Sequence, residues 1–280
     1  MATIIGVTFF ILGTIIGSFL NVVSLRHNTG KTLSGRSFCF SCGKTLAWYE
    51  LVPVLSFIFQ RGRCRGCGSK ISWQYPIVEV ITGTLFFALS QKFLYFFLVV
   101  LNTGISNLYD IGLFLSFVSY SVLFSILIAI GVYDVKHKII PDKLVYLLIS
   151  IAFLRTVVVA LSAIFIFGDS TTSVLPDLLS GPIVALPLFL IWFFSKGRAM
   201  GFGDVKLTLG LGWMMPLWGA VAALMMSFWV GGVVGIILLS LFSKKITMKT
   251  EVPFAPFLIL GTILAFFCEI NFWSILGFFD

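Results

Sequence analysis

Long apolar runs separated by short polar breaks fill almost the whole chain. The first extends from Ala2 to Leu25. A polar stretch at 26–75 follows, and apolar runs then resume at about 77–100, 111–133, 144–167, 179–195, 205–221, 222–242 and 254–277. A bilayer core takes roughly 20 apolar residues per helical span. The pattern therefore predicts an all-α polytopic membrane protein with about eight transmembrane helices. Two features blur it. Gln91 and Lys92 threaten to end the second run early, and only Pro216 and Gly219 mark a turn between the sixth and seventh. The first run lacks a basic leading region and a small-residue cleavage site, so it reads as a retained helix and not a signal peptide.

Composition removes the alternatives. Of the 280 residues 59% are hydrophobic and 11% charged, against about 25% charged in soluble domains. A water-soluble globule and a disordered chain are both excluded. The net charge of +8 is a matter of placement. Residues 26–75 and the loops near 134–143, 196–206 and 243–253 hold 17 of the 19 Lys and Arg. Cations mark cytoplasmic loops, so these segments should be cytoplasmic and both termini should face outside. The charge is a topological label, not a nucleic-acid footprint. Three parts follow: a first transmembrane helix (1–25), a polar module (26–75) and a membrane domain of about seven helices (76–280).

The polar module carries four of the five cysteines, as Cys39-Phe40-Ser41-Cys42 and Cys64-Arg65-Gly66-Cys67. Each pair sets two sulfurs on one tight turn, and two such knuckles complete a tetrahedral site of the kind zinc prefers. Gly43, Gly66 and Gly68 suit the turns. About 50 residues make a poor core alone, so metal would add folding energy. A redox CxxC pair, or thiols that bind nothing, are the competing readings. Four thiolates leave no open position for water, and His27 and His137 are the only histidines, so a catalytic zinc is not expected. Cys268, in an apolar run, is expected to be a buried small side chain.

The eleven acids are few enough to weigh singly. Glu50, Asp110, Asp169, Asp177, Glu251 and Asp280 read as solvated loop charges. Asp142 reads as a helix N-cap, and Glu269 as lying near the outer end of the last span. Asp134, Asp204 and Glu79 stand where apolar runs meet the cytoplasmic side, and acids there usually face a cavity or partner. Asp134 and Asp204, the latter in Gly201-Phe202-Gly203-Asp204, fit an aspartyl protease pair sharing one proton. Gly201 and Gly203 would allow unusual dihedrals and close approach of a substrate backbone. The competing reading is a glycine-rich helix start capped by Asp204. Glu79 could hold a cation or a substrate amine, or form an interface salt bridge. Ser18 reads as a packing residue, and the many Phe as lipid-facing surface.

Taken together these residues resemble the type 4 prepilin peptidases, membrane aspartyl proteases of the G-x-G-D class. The resemblance runs through Gly17-Ser18-Phe19-Leu20-Asn21, Arg26, the two knuckles, Trp48-Tyr49, Pro53, Gly62, Tyr75-Pro76 with Glu79, the Asp134 and Asp204 segments and Phe254-Ala255-Pro256-Phe257. It implies Asp134 and Asp204 as the catalytic pair, and not Asp142. It implies prepilins and pilin-like secretion proteins as substrates, cut after a basic leader at the cytoplasmic face of a bacterial inner membrane. It also implies methylation of the new N-terminus with S-adenosylmethionine. The first knuckle has Phe where the family usually has Pro, and the last motif has Ala where Gly is common. A peptidase without methyltransferase activity, and a carrier using its carboxylates as an ion relay, are the alternatives.

Overall fold

The computed structural model describes residues 1–26, 35–105, 107–165, 171–241, 253–275 and 277. These residues form helices and no strand. In chain order they are α1 (Ala2–Arg26), α2 (Leu55–Phe59), α3 (Gln74–Lys92), α4 (Leu94–Thr103), α5 (Leu108–His137), α6 (Asp142–Phe165), α7 (Thr171–Leu178), α8 (Ser180–Ser195), α9 (Phe202–Gly212), α10 (Leu217–Leu241), α11 (Ala255–Phe267) and α12 (Phe272–Ile275), with a 3₁₀ turn at Trp48–Glu50. Four of them are long and apolar enough to cross a membrane, or five if α3 and α4 count as one span bent by 64°.

Two compact units divide the chain, Met1–Val132 and Tyr133–Asp280. In the first, α1 lies against α3 through small residues. A Cβ on Gly13 would fall 2.8 Å from the Gly83 Cα, and one on Gly17 2.8 Å from the Glu79 Cα. Such positions let backbones approach where lipid gives no hydrophobic drive between helices. Part of the Phe excess is spent inside this unit and not on lipid: the rings of Phe9, Phe97 and Phe117 meet pairwise at 4.9 to 5.0 Å.

In the second unit α8 meets α9, and α10 meets α11, at glycine crossings. A Cβ on Gly212 would lie 2.7 Å from the Gly181 Cα, and one on Gly261 2.1 Å from the Ser227 Oγ. The sixth and seventh predicted spans divide earlier than the sequence pattern placed them. The helix stops at Gly212 and resumes at Leu217, because Pro216 cannot donate to a continuing helix. The open turn is held by side chains: Thr156 donates to the Trp213 carbonyl at 2.7 Å, Ser180 to that of Gly212 at 2.8 Å, and the Leu217 N–H donates to Asp177 Oδ1 at 2.9 Å. Irregular backbone at membrane depth needs such partners. At 11 residues α9 is too short to cross a bilayer by itself.

Several acids expected in solvent are not there. Glu50 and Asp110 are buried, Glu50 pairing with Lys44 at 3.1 Å and Asp110 accepting the Asn107 N–H at 3.3 Å. Asp177 is tied to Leu217 as above. Asp142 is the first residue of α6 and its carboxylate pairs with Lys206. Glu269 lies beyond the end of α11 with φ of 54°. Cys268, expected inside, is exposed at the C-cap of α11, where the helix has just ended. His27, Asp169, Glu251 and Asp280 lie outside the described residues.

Candidate active site and cysteine centre

Three helix ends in the second unit position the two aspartates. Asp134 sits in the last turn of α5 and Asp204 in the first turn of α9. Both are buried, 4% and 9% exposed, and they are near enough for the charge of Asp134 to act on Asp204. A third segment completes the arrangement: the backbone N–H of Ala255, first residue of α11, donates to the Asp134 carboxylate. The opening turn of a helix has spare N–H groups, and Pro256, next in line, has none to offer. The other oxygen, Oδ2, is buried without a partner among the described residues. Asp204 receives its own helical support, with the Thr208 hydroxyl donating to its carbonyl at 2.9 Å.

The two glycines of the motif differ in purpose. Neither has a positive φ. Gly201 is ordinary extended backbone at φ −75° and ψ 148°, and a Cβ there would be 3.9 Å from Asp204 Oδ2, an open contact. At Gly203 a Cβ would sit 3.1 Å from the Ile140 Cβ. The absence of a side chain at Gly203 thus seats α9 against the loop that follows α5, which sets Asp204 beside the segment bearing Asp134. Close approach explains Gly203; dihedral freedom explains neither. Beside this start, Pro182, Leu186, Phe189, Phe202, Val205 and Leu209 line an apolar cavity of about 270 Å³ between α8 and α9.

Sequence reasoning did not find Ala255 as a partner of Asp134. The Phe254-Ala255-Pro256 run carried a signal, since Pro in a first turn marks a helix start, and a helix start presents spare N–H groups, that of Ala255 among them.

The first unit holds the four cysteines as a cluster. Their sulfurs all lie within 4.8 Å of one another, and Cys39 and Cys67 are 3.9 Å apart. Four sulfurs about 2.3 Å from one zinc ion would be roughly 3.8 Å apart, so the donor set fits a tetrahedral ion. The knuckles repeat each other bond for bond. Cys39 N–H donates to Lys44 O and Gly43 N–H to Cys39 O; Cys64 N–H donates to Ser69 O and Gly68 N–H to Cys64 O, all at 2.9 Å. Gly43 and Gly68, each just after the second cysteine of its pair, have φ of 72° and 71°, a region glycine enters without strain. Gly66 does not share it.

One thiol from each knuckle, Cys39 and Cys67, is tuned toward thiolate. The backbone N–H groups of Cys42 and then Ser41, with the Ser69 hydroxyl, bring Cys39 down to about 6. The Ser69 hydroxyl and then its backbone N–H lower Cys67. Cys42 accepts from the Lys44 N–H, which lowers it, but desolvation and the neighbouring sulfurs prevail and push it up to about 11.

Comparison with known proteins gives one direction. Residues 11–93 match the bacterial peptidase A24 N-terminal domain, and residues 121–236 match the type IV leader peptidase family. A prepilin leader peptidase/N-methyltransferase of Myxococcus xanthus is 33% identical over 82% of this chain, which spans 62% of that relative. One of Bacillus subtilis is 29% identical over 92% of both chains. A type 4 prepilin-like proteins leader peptide-processing enzyme of Escherichia coli O78:H11 is 30% identical over 93% of both. No solved structure matches the chain.

Proposed function

The chain belongs to the type IV leader peptidase family, and from that membership we propose that it is a membrane aspartyl endopeptidase in which Asp134 and Asp204 remove the basic leader of type IV prepilins and pilin-like secretion proteins. The observation that carries this reading is the convergence of two buried carboxylates, 70 positions apart in the sequence, at the helix ends described above. Two carboxylates held close share one proton. The ionised member takes a proton from water as it attacks the scissile carbonyl, and the protonated member donates to the carbonyl oxygen. The Ala255 N–H orients Asp134 and leaves Oδ2 free to face the water. The apolar cavity beside Phe202 and Val205 suits the hydrophobic segment that follows a leader.

The distribution of Lys and Arg supports a cytoplasmic position for the dyad and the cysteine module in a multi-pass inner-membrane protein, with both termini outside. The reading divides the chain into a first helix (1–25), the module (26–75) and the peptidase domain (76–280). Cys39, Cys42, Cys64 and Cys67 would hold a structural zinc ion, whose contribution is folding energy for the module. Methylation of the new N-terminus by S-adenosylmethionine is proposed from the names of the relatives.

The test is a gel-shift assay of prepilin cleavage by the purified protein. Asp134→Asn and Asp204→Asn should each lower the rate by about a thousandfold or more with the melting temperature unchanged. Normal cleavage by both variants would refute the dyad and favour an ion relay. Labelled methyl donor in the same reaction reports transfer separately.

A further inference from the structure

A second group of buried polar side chains lies between α1 and α3 in the first unit. Glu79 is 6% exposed. Its Oε2 accepts the Val54 N–H at 2.7 Å, and the Ser18 hydroxyl bonds the same carboxylate. Ser18 and Asn21, three residues apart on α1, share a face. Asn21 is fully buried; its Nδ2 donates to the Gly17 and Tyr75 carbonyls, each at 3.3 Å, while its Oδ1 has no partner among the described residues. Gly17 brings α3 close enough that this face looks onto the turn running from Tyr75 to Glu79.

The inventory is short of positive charge. The Glu79 carboxylate receives a hydroxyl and a backbone N–H, both neutral, and the Asn21 amide oxygen receives nothing among the described residues. Among the described residues no Lys or Arg forms an ion pair with Glu79. A carboxylate withdrawn from water is costly unless a cation meets it. The backbone is strained at the same place. Val54 has φ 61° and ψ −53°, and the Leu55 N–H donates to the Pro53 carbonyl at 2.6 Å, a γ-turn of the rarer hand occupied by a β-branched residue. Strain of this kind persists where the surroundings over-determine it, commonly at ligand clamps.

We propose that Glu79, Ser18 and Asn21 form a binding site for a primary ammonium group. Glu79 supplies the opposing charge, and the Asn21 Oδ1 takes one of the ammonium N–H donors. The proposal rests on the methyl-transfer part of the function above, which brings two primary ammonium groups to the protein. One is the α-amine of the freshly cut mature segment. The other belongs to the amino-acid end of the sulfonium donor.

Calorimetric titration of the full chain in detergent distinguishes them. One arm compares a short apolar peptide with a free α-amine against its N-acetylated form. The other compares S-adenosylmethionine against an analogue lacking the α-amino group. In one arm, loss of the amine should weaken binding to the unaltered protein by about tenfold or more, and Glu79→Gln should do the same. Gln keeps an acceptor for the Val54 N–H, and Asn21→Leu gives a second variant with the same expected loss. If removing the amine changes neither arm, the proposal is overturned; that result needs no variant to fold. Binding by Glu79→Gln and Asn21→Leu at full strength overturns it as well. Amine-dependent binding without transfer of labelled methyl by the unaltered protein keeps the site and refutes the methyltransferase reading. Full transfer by Glu79→Gln does the reverse.

Discussion

Gly201 and Gly203 share one motif yet do different things, and that difference is testable. A methyl group at Gly203 meets the Cβ of Ile140 at 3.1 Å, a backbone-near atom with little room to retreat, whereas one at Gly201 meets nothing tighter than 3.9 Å. Gly203→Ala should cost about 1–3 kcal/mol and slow cleavage by shifting Asp204 from the loop after α5. Gly201→Ala should melt like the parent protein. Equal melting temperatures for the two would remove the packing explanation. Glu50 offers a test by pH. The Ala47 N–H foremost, and then the Lys44 ammonium, hold its carboxyl below the usual carboxylate range against the cost of burial. A carboxylate with a depressed folded value stabilises the fold above its unfolded value of about 4.3, and the contribution fades as pH falls through the folded one. Protection factors for amide exchange across 44–50, which allow for the intrinsic slowing of exchange in acid, should therefore fall on acidification below that range. In Glu50→Gln exchange should already be faster at neutral pH and should lose this dependence.

At the scale of elements, glycine crossings decide how the short helices are held. Gly261 is the tightest: its Cβ would stand 2.1 Å from the Ser227 Oγ and 2.5 Å from the Ser227 N. Backbone cannot yield there, so Gly261→Ala must part α10 from α11. The start of α11 carries the N–H that holds Asp134, so the damage should reach the active site. We expect a loss of about 3 kcal/mol or more, read as a lower melting temperature, together with reduced prepilin cleavage. Gly232, also on α10, has nothing within 4 Å of a Cβ, and Gly232→Ala should be neutral or slightly stabilising.

For the whole molecule, the first unit carries the cysteine cluster and the proposed ammonium site, and the second carries the two aspartates proposed as the dyad. Cys39→Ser should lower zinc content measured by atomic absorption and impair methyl transfer more than cleavage. Equal loss of both reactions would contradict a division of labour between the units. Much of this was legible in the residues. Apolar runs announced the helices, since a bilayer demands length and hydrophobicity that few other settings tolerate. The knuckles announced a four-cysteine cluster, since two sulfurs on one turn is a local geometry written in a spacing. Rarity of charge made Asp134, Asp204 and Glu79 conspicuous.

What the sequence determined by itself is therefore what depends on neighbours in the chain: helix-forming runs, the CxxC turns with their following glycines, and the acids placed at the ends of apolar stretches. Only the tertiary structure decided the long-range matters. It put the Ala255 N–H on Asp134, seated Gly203 on Ile140, and buried Glu50 and Asp110 where loop position had promised solvent. It turned part of the Phe surplus inward, and it set the Asn21 amide nitrogen against the Tyr75 carbonyl while leaving the amide oxygen buried without a partner among the described residues. The reason is physical. Periodicity and turn chemistry act over a few residues, whereas a buried hydrogen bond or a backbone crossing depends on which distant segments pack together, and no local pattern encodes that choice.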